Sequence, residues 1–361
     1  MSEQRSRVAV VLGTRPEMVK LARIVSLLGD RALVVHTGQH YSSTLATDIA
    51  RDVSFPVADH NFTTGGLDRG VQIGEATSHL ARLFAKDRPA AVIVQGDTNS
   101  ALAGALAANA CEVPLLHVEA GLRSFDRRMP EEHNRILIDH LADLCCAPTS
   151  VNVENLLREG IPQCRVNRTG NSVVEAVQVL SPLAPERRAT VFRIVGSYRP
   201  FVLVTLHRPE NVDDPRRLGA IIQALGGIEV KVLFPVHPRT SAGLRDIAIP
   251  GNVHLTGGLG YRDFLALLAG SEAVLTDSGG VQEEISVLKR FAVVLRRSTE
   301  RPEVLGSFAE LTDDPSKAVS MINSAMASKR VDALRDIPCP YGDGTASDQV
   351  VAALDEITTE R

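Results

Sequence analysis

RVAVVLGTRPEMVKLARIVSLL, residues 7–28, is the stretch that decides the fold. Its unbroken apolar run, Val8 to Leu12, reads as a buried strand that stops at Gly13-Thr14. Pro16 then suits the first turn of a helix, and Glu17 suits the positive end of its dipole. The same unit recurs along the chain. ALVVHTG (32–38) precedes GVQIGEATSHLARLFA (70–85), and AAVIVQGD (90–97) precedes the small-residue pattern SALAGALAANA (100–110). VPLLHVEAG (113–121) precedes PEEHNRILIDHLADL (130–144). A turn-rich stretch, GIPQCRVNRTGNS (160–172), leads into VVEAVQVL (173–180). The alternation then resumes through PFVLVTLH, RLGAIIQALGGI, KVLFPVH, DFLALLAGSEAVLTDS and AVVLRR.

Buried strands separated by helices of this length imply parallel sheets with right-handed crossovers. About ten such strands crowd a single sheet. The expected fold class is therefore α/β, with two Rossmann-like, doubly wound parallel-sheet domains facing a cleft. The turn-rich region near residues 170–198 marks the boundary, giving domains of 1–172 and 173–345. The last helical stretch, SDQVVAALDEI, follows the turn PYGDGTA and lies within 346–361.

Composition fits that class and removes others. The 361 residues suffice for two domains at roughly 150 residues each. No apolar run reaches the ~20 residues of a membrane span. The N-terminal apolar stretch is too short for a signal peptide, so cytoplasmic residence is expected. Five cysteines include no CxxC pair, which leaves no zinc knuckle or redox motif. A net charge of −4 excludes a broad nucleic-acid footprint. With no Trp and 4% aromatics, any bound sugar is held by polar contacts.

Ligands of open parallel sheets bind beyond the carboxyl ends of the strands, and the unusual residues fall there. Three strand ends share Arg-Pro-Glu, at 15–17, 208–210 and 301–303. The Pro-Glu part is explained by helix starts, whereas an arginine beside a helix N-terminus is placed for a phosphate. Ser278-Gly279-Gly280 follows another strand and opens a helix whose free N–H groups suit a diphosphate, with Glu284 further along it. GxGxxG, Walker and GxSxG signatures are absent. Asp97, Glu119 with His117, Glu131 and Glu132 with Arg135, His207 and His237 end other strands or start helices. Such clusters suit general acid–base work. His117-x-Glu119 lacks the PCxxC half of a zinc-deaminase pattern, and no HExxH occurs, so no metal is expected.

At these residues the chain resembles the non-hydrolysing UDP-N-acetylglucosamine 2-epimerases, relatives of the GT-B glycosyltransferases. The matching segments are GTRPE (13–17) with Lys20, TGQH (37–40), GDT (96–98), HVEAGLRSFDRRMPEE (117–132), TGN (169–171), HRPEN (207–211), PVHP (235–238), DSGGVQEE (277–284) and TERPE (299–303). The resemblance implies UDP bound in the cleft by the second domain, no dissociable cofactor, a homodimer, and a C-terminal helix returning to the first domain. It implies inversion at C2, from UDP-N-acetylglucosamine to UDP-N-acetylmannosamine, through loss and re-addition of UDP. It places catalytic roles on Asp97, Glu119, Glu131 and His207. Substrate contacts fall on Arg15, Lys20, Arg135, His237, Ser278, Gly279, Gly280 and Glu284.

Two segments depart from the family. Leu288-Lys289-Arg290-Phe291 stands where Leu-Gly-Lys-Pro is usual, and VLGSFAEL (304–311) is short; both are expected beside the phosphate side. Four alternatives remain. A hydrolysing epimerase would typically lack the RPE and VEAG segments present here. A diacetamido-uronic acid epimerase is compatible with the RSFDRRMPEE loop. A glycosyltransferase would need an acceptor site in place of the spread of acids. A non-catalytic nucleotide-sugar sensor would not need those acids.

Overall fold

A computed structural model describes residues 7–39, 50–181, 184–196, 200–236 and 238–359. The chain divides into two compact units, one drawn from Met1–Ala176 with Tyr341–Arg361, the other from Val177–Pro340. Each is built on one parallel sheet. The first sheet contains β1 (Val8–Leu12), β2 (Ala32–His36), β3 (His60–Asn61), β4 (Ala91–Gln95), β5 (Leu115–Val118), β6 (Leu144–Ala147) and β7 (Val166–Arg168). Its order is β3-β2-β1-β4-β5-β6-β7. The second contains β8 (Phe201–Thr205), β9 (Lys231–Pro235), β10 (Val253–Thr256), β11 (Ala273–Thr276), β12 (Ala292–Leu295) and β13 (Ala309–Thr312), ordered β10-β9-β8-β11-β12-β13.

The expected α/β class with two doubly wound sheets is what the chain forms. Each sheet reverses its winding once, at β1/β4 in the first and β8/β11 in the second, and those are the positions where such sheets bind ligands. The central strands β1 and β4 are buried along their whole length, as helices on both faces require. Helix Asn99–Ala110 follows β4 and is made almost wholly of small residues. It lies tight on the sheet at Gly104, where a Cβ would stand 2.8 Å from Val94 and 3.3 Å from Val11.

The first unit closes with helix Ala346–Thr359, which packs on helix Arg15–Leu28. Arg31 bonds Asp355 at 2.8 Å, and the Ser347 amide donates to Glu175 Oε1 at 2.6 Å. Burial raises the Glu175 carboxyl above its usual range. No described helix is long and apolar enough to cross a membrane.

Thirteen strands form among the described residues, against about ten read from the apolar runs. The extra ones are short. β3 and β7 are edge strands of 2 and 3 residues, with little apolar sequence to mark them. β6 escapes notice in the sequence because Leu144-Cys145-Cys146-Ala147 continues the helical pattern before it, although that helix ends at Leu141. The turn-rich boundary stretch also contains a helix, Ala184–Val195, which begins beside Pro185 as proline allows.

Candidate active site

In the first unit, Glu119 stands at the carboxyl end of β5 with only 7% exposure. Its φ is +71°, a left-handed conformation that costs a non-glycine residue stability and that concentrates at functional sites. Its Oε2 accepts from the Lys20 ammonium, in a short buried ion pair, and from Gln95 Nε2 at 2.8 Å. Asn171 Nδ2 approaches the same oxygen at 3.4 Å. Lys20 comes from helix Arg15–Leu28, Gln95 from the end of β4 and Asn171 from the loop after β7. One carboxylate thus gathers groups from both sides of the β1/β4 switch point.

Asp97 follows β4 and its Oδ2 accepts from Arg135, through Nε at 3.1 Å and through Nη2 in a shorter bond. Arg135 is 2% exposed and also bonds Glu132 Oε2 at 2.6 Å. Glu132 in turn accepts the amides of Ser124 and Phe125, the latter at 2.8 Å. Phe125 has φ +57° and is 72% exposed, so a buried carboxylate holds a strained loop that carries an exposed ring. Glu131, at the start of helix Pro130–Leu141, is half-buried and forms no hydrogen bond or ion pair with the described residues.

His117 is fully buried one turn of pleat before Glu119. Its Nδ1 lies 2.6 Å from Asp139 Oδ1, and its Nε2 lies 2.8 Å from the carbonyl oxygen of Gly96. A carbonyl only accepts, so Nε2 carries a proton, and the ring ties β5 to the loop bearing Asp97. Burial pushes the Asp139 carboxyl upward, but His117 and Arg123 outweigh it and hold it below the usual range. Arg123 extends the buried chain to Glu159 at 2.5 Å.

Glu17 caps the helix that follows β1. Its Oε2 accepts from the Gly13 amide at 3.0 Å, the Thr14 amide at 2.8 Å and the Thr14 hydroxyl at 2.7 Å. Its Oε1 accepts from Thr98 Oγ1 at 2.8 Å, beside Asp97. Burial raises this carboxyl to about 7, against the lowering effect of those four bonds. The loop amides that a phosphate would use are therefore already filled by the chain's own glutamate. Arg15 remains half-buried, with no hydrogen bond or ion pair to the described residues, and burial lowers its pKa. A cation in that setting is suited to an anionic ligand.

In the second unit, Ser278 caps helix Gly279–Leu288, and Gly279 and Gly280 are partly accessible at its start. Here the helix N-terminus is not filled by a carboxylate of its own first turn. Arg301 and Glu300 come so close that a Cβ at Gly279 would stand 2.7 Å and 2.6 Å from them. Arg301 Nε donates to Glu283 at 2.7 Å, and Arg296 pairs with Glu300 at 2.7 Å. Glu284 is buried and accepts the Tyr261 hydroxyl at 2.8 Å; burial, and after it the Glu284 carboxylate, push the phenol well up. His207, after β8, is about half-exposed, and its Nδ1 is 3.2 Å from Asp277 Oδ1 at the end of β11. His237 lies outside the described residues.

The structure thus brings Lys20 onto Glu119, and Arg135 onto Asp97. It sets Ser278, Gly279, Gly280 and Glu284 on one helix, with His207 at the adjoining strand end. Sequence reasoning left Gln95, Asn171 and Asp277 without roles, and named Glu132 only as one of a cluster with Glu131 and Arg135. Asn171 and Asp277 sat inside the quoted motifs TGN and DSGGVQEE, so the motif context was the available signal. The departure at 288–291 needs correction. It lies at the far end of helix Gly279–Leu288 from Ser278, roughly 15 Å along its axis at 1.5 Å per residue. Lys289 takes the left-handed position, φ +57°, that a glycine usually fills, and its Nζ donates to the Ile337 carbonyl at 2.5 Å. This turn precedes β12 and is not beside the phosphate-type helix N-terminus.

Known proteins match the chain in sequence and in fold. The sequence pattern of UDP-N-acetylglucosamine 2-epimerases covers residues 30–355. A UDP-N-acetylglucosamine 2-epimerase of Methanocaldococcus jannaschii is 35% identical over 96% of this chain and 98% of its own. A UDP-2,3-diacetamido-2,3-dideoxy-D-glucuronate 2-epimerase of Pseudomonas aeruginosa is 34% identical over 96% and 99%. A crystal structure of the M. jannaschii UDP-GlcNAc 2-epimerase, in complex with UDP-GlcNAc and UDP, superposes with a TM-score of 0.89 at 35% identity. That superposition covers 97% of this chain and 99% of that one. By sequence pattern, by relatives along nearly its full length and by fold, the chain belongs to the UDP-N-acetylglucosamine 2-epimerase family.

Proposed function

We propose that the protein interconverts UDP-N-acetylglucosamine and UDP-N-acetylmannosamine, releasing UDP only transiently. The observation that carries this reading is Glu119, a buried carboxylate in a strained backbone held by Lys20 and Gln95 at the switch point. Stored strain and a buried acid fit proton transfer at a weakly acidic carbon. One base takes the C2 proton as the C1–O bond breaks, and the electron pair leaves with UDP. A C1–C2 double bond remains. Return of a proton to the opposite face of C2, with a diphosphate oxygen rejoining C1, gives the other epimer.

In this reading Asp97, Glu119, Glu131 and His207 handle protons. Asp97 and Glu119 are each held by a buried cation, whereas Glu131 forms no ion pair with the described residues. Gly279 and Gly280 offer helix-end amides to the leaving diphosphate, Ser278 its hydroxyl, and Arg301 adds charge there. Arg15, Lys20, Arg135, His237 and Glu284 complete the substrate contacts. The resemblance further supports a cytoplasmic homodimer working without a dissociable cofactor; light scattering on the purified protein measures its mass directly.

The test is incubation with UDP-N-acetylglucosamine in D2O, followed by NMR. Both epimers should appear carrying deuterium at C2. Free N-acetylmannosamine would replace this reading with a hydrolysing enzyme. Binding without exchange would replace it with a sensor. The Pseudomonas relative, at almost the same identity, favours one second reading, a UDP-diacetamido-uronic acid. Exchange with that sugar and none with UDP-N-acetylglucosamine would establish it.

A further inference from the structure

Asp277 is fully buried between two strand ends, and its two oxygens do different work. Oδ2 accepts from the Arg208 amide at 3.0 Å, from Asn211 Nδ2 at 3.1 Å and from the His207 amide at 3.2 Å. Oδ1 accepts from the same His207 amide at 3.1 Å and lies 3.2 Å from the ring nitrogen Nδ1. Every one of these partners except Nδ1 is an obligatory donor. The charged neighbours are Arg208, whose Nε donates to the Asp277 carbonyl at 3.1 Å, and Glu300, 3.8 Å from the Arg208 guanidinium. Burial pushes the Asp277 carboxyl up, but the bonds from His207, Asn211 and Arg208 outweigh it and hold it below its usual range, so it accepts.

We infer that Asp277 is a positioning residue that fixes the Nδ1–H tautomer of His207, leaving Nε2 as the ring atom that handles protons. This rests on the epimerase reading above. An acceptor-only oxygen at Nδ1 requires a proton there, and a neutral imidazole then has its lone pair on Nε2. The same oxygen pair grips the backbone on both sides of His207. Ring orientation and tautomer are thus set by one buried carboxylate.

Asp277→Asn separates the two jobs. Its amide oxygen must occupy the Oδ2 place, where three donors converge, so its NH2 faces Nδ1. Nδ1 must then accept, and the proton moves to Nε2. The same change behind a protease histidine lowers kcat by about 10^4. Here kcat should fall at least 100-fold, with UDP affinity within about threefold, since the charge lost faces His207 and not the helix N-terminus. Long-range 15N NMR of the histidine-labelled protein, assigned with His207→Gln, should show Nδ1–H in the wild type and Nε2–H in the variant. Asp277→Ala, which frees all the donors, should lose stability and UDP binding as well. Wild-type kcat in Asp277→Asn, or the same tautomer in both proteins, would overturn the inference. If the variant does not fold, an Nε2–H tautomer in the wild type alone overturns it. A wild type that shows the Nδ1–H tautomer but no turnover would instead remove the epimerase reading, and His207's role with it.

Discussion

Lys20 Nζ and Glu119 Oε2 form an ion pair in which both side chains are under 8% exposed. A buried pair of this kind is destabilised more by losing one partner than by losing both. Glu119→Gln should therefore cost about 3–5 kcal/mol in denaturant unfolding. Lys20→Met with Glu119→Gln should recover much of that. Neither protein should exchange the C2 proton. Exchange at the wild-type rate in Glu119→Gln would remove this residue from the reaction.

Glu17 makes stability depend on pH. Its folded pKa, about 7, lies above the ordinary glutamate value of 4.5, so between those values the folded chain holds a proton that the unfolded chain has released. Stability contributed by this group is full below about pH 4.5 and is lost as pH rises through 7, by about 3 kcal/mol. Urea titrations at several pH values should show that loss in the wild type relative to Glu17→Gln. Parallel curves for the two proteins would contradict it.

Phe125 should be improvable. Its ring is mostly exposed, while its φ of +57° strains any residue but glycine or asparagine. Phe125→Asn should raise stability by about 1 kcal/mol, seen as an increase in Tm. A lower Tm would show that the ring packs on something in solution.

Gly279→Ala tests the helix N-terminus of the second unit. The new Cβ would overlap Glu300 and Arg301, both buried and held by other charges, so neither can step aside cheaply. UDP affinity by calorimetry should fall at least about tenfold, equivalent to 1.4 kcal/mol. Unchanged affinity would place the diphosphate elsewhere.

Much of this site was legible from residue order. Asp97, Glu119 and His207 end apolar runs, and the end of a parallel strand is a site position whatever the side chain. Pairings were not legible. Lys20 and Glu119 are 99 residues apart, and Arg135 reaches Asp97 across 38. Glu17 read as an ordinary helix start, and only its packing showed that it also grips Thr98. The short strands β3 and β7 escaped because edge strands need few apolar residues. The turn at Lys289 was placed on the wrong face, since a sequence departure carries no direction along a helix.

The sequence by itself determined the α/β class, the two parallel sheets and the motif order that marks the family. Those features depend on local apolar runs, helix starts and the carboxyl ends of strands. Only the tertiary structure decided that Glu119 sits strained against Lys20, and that Glu17 fills the amides after β1. It alone showed that Glu300 and Arg301 crowd Gly279 at the start of helix Gly279–Leu288. These are matters of which carboxylate meets which donor, and sheet crossovers settle that between residues far apart in the chain.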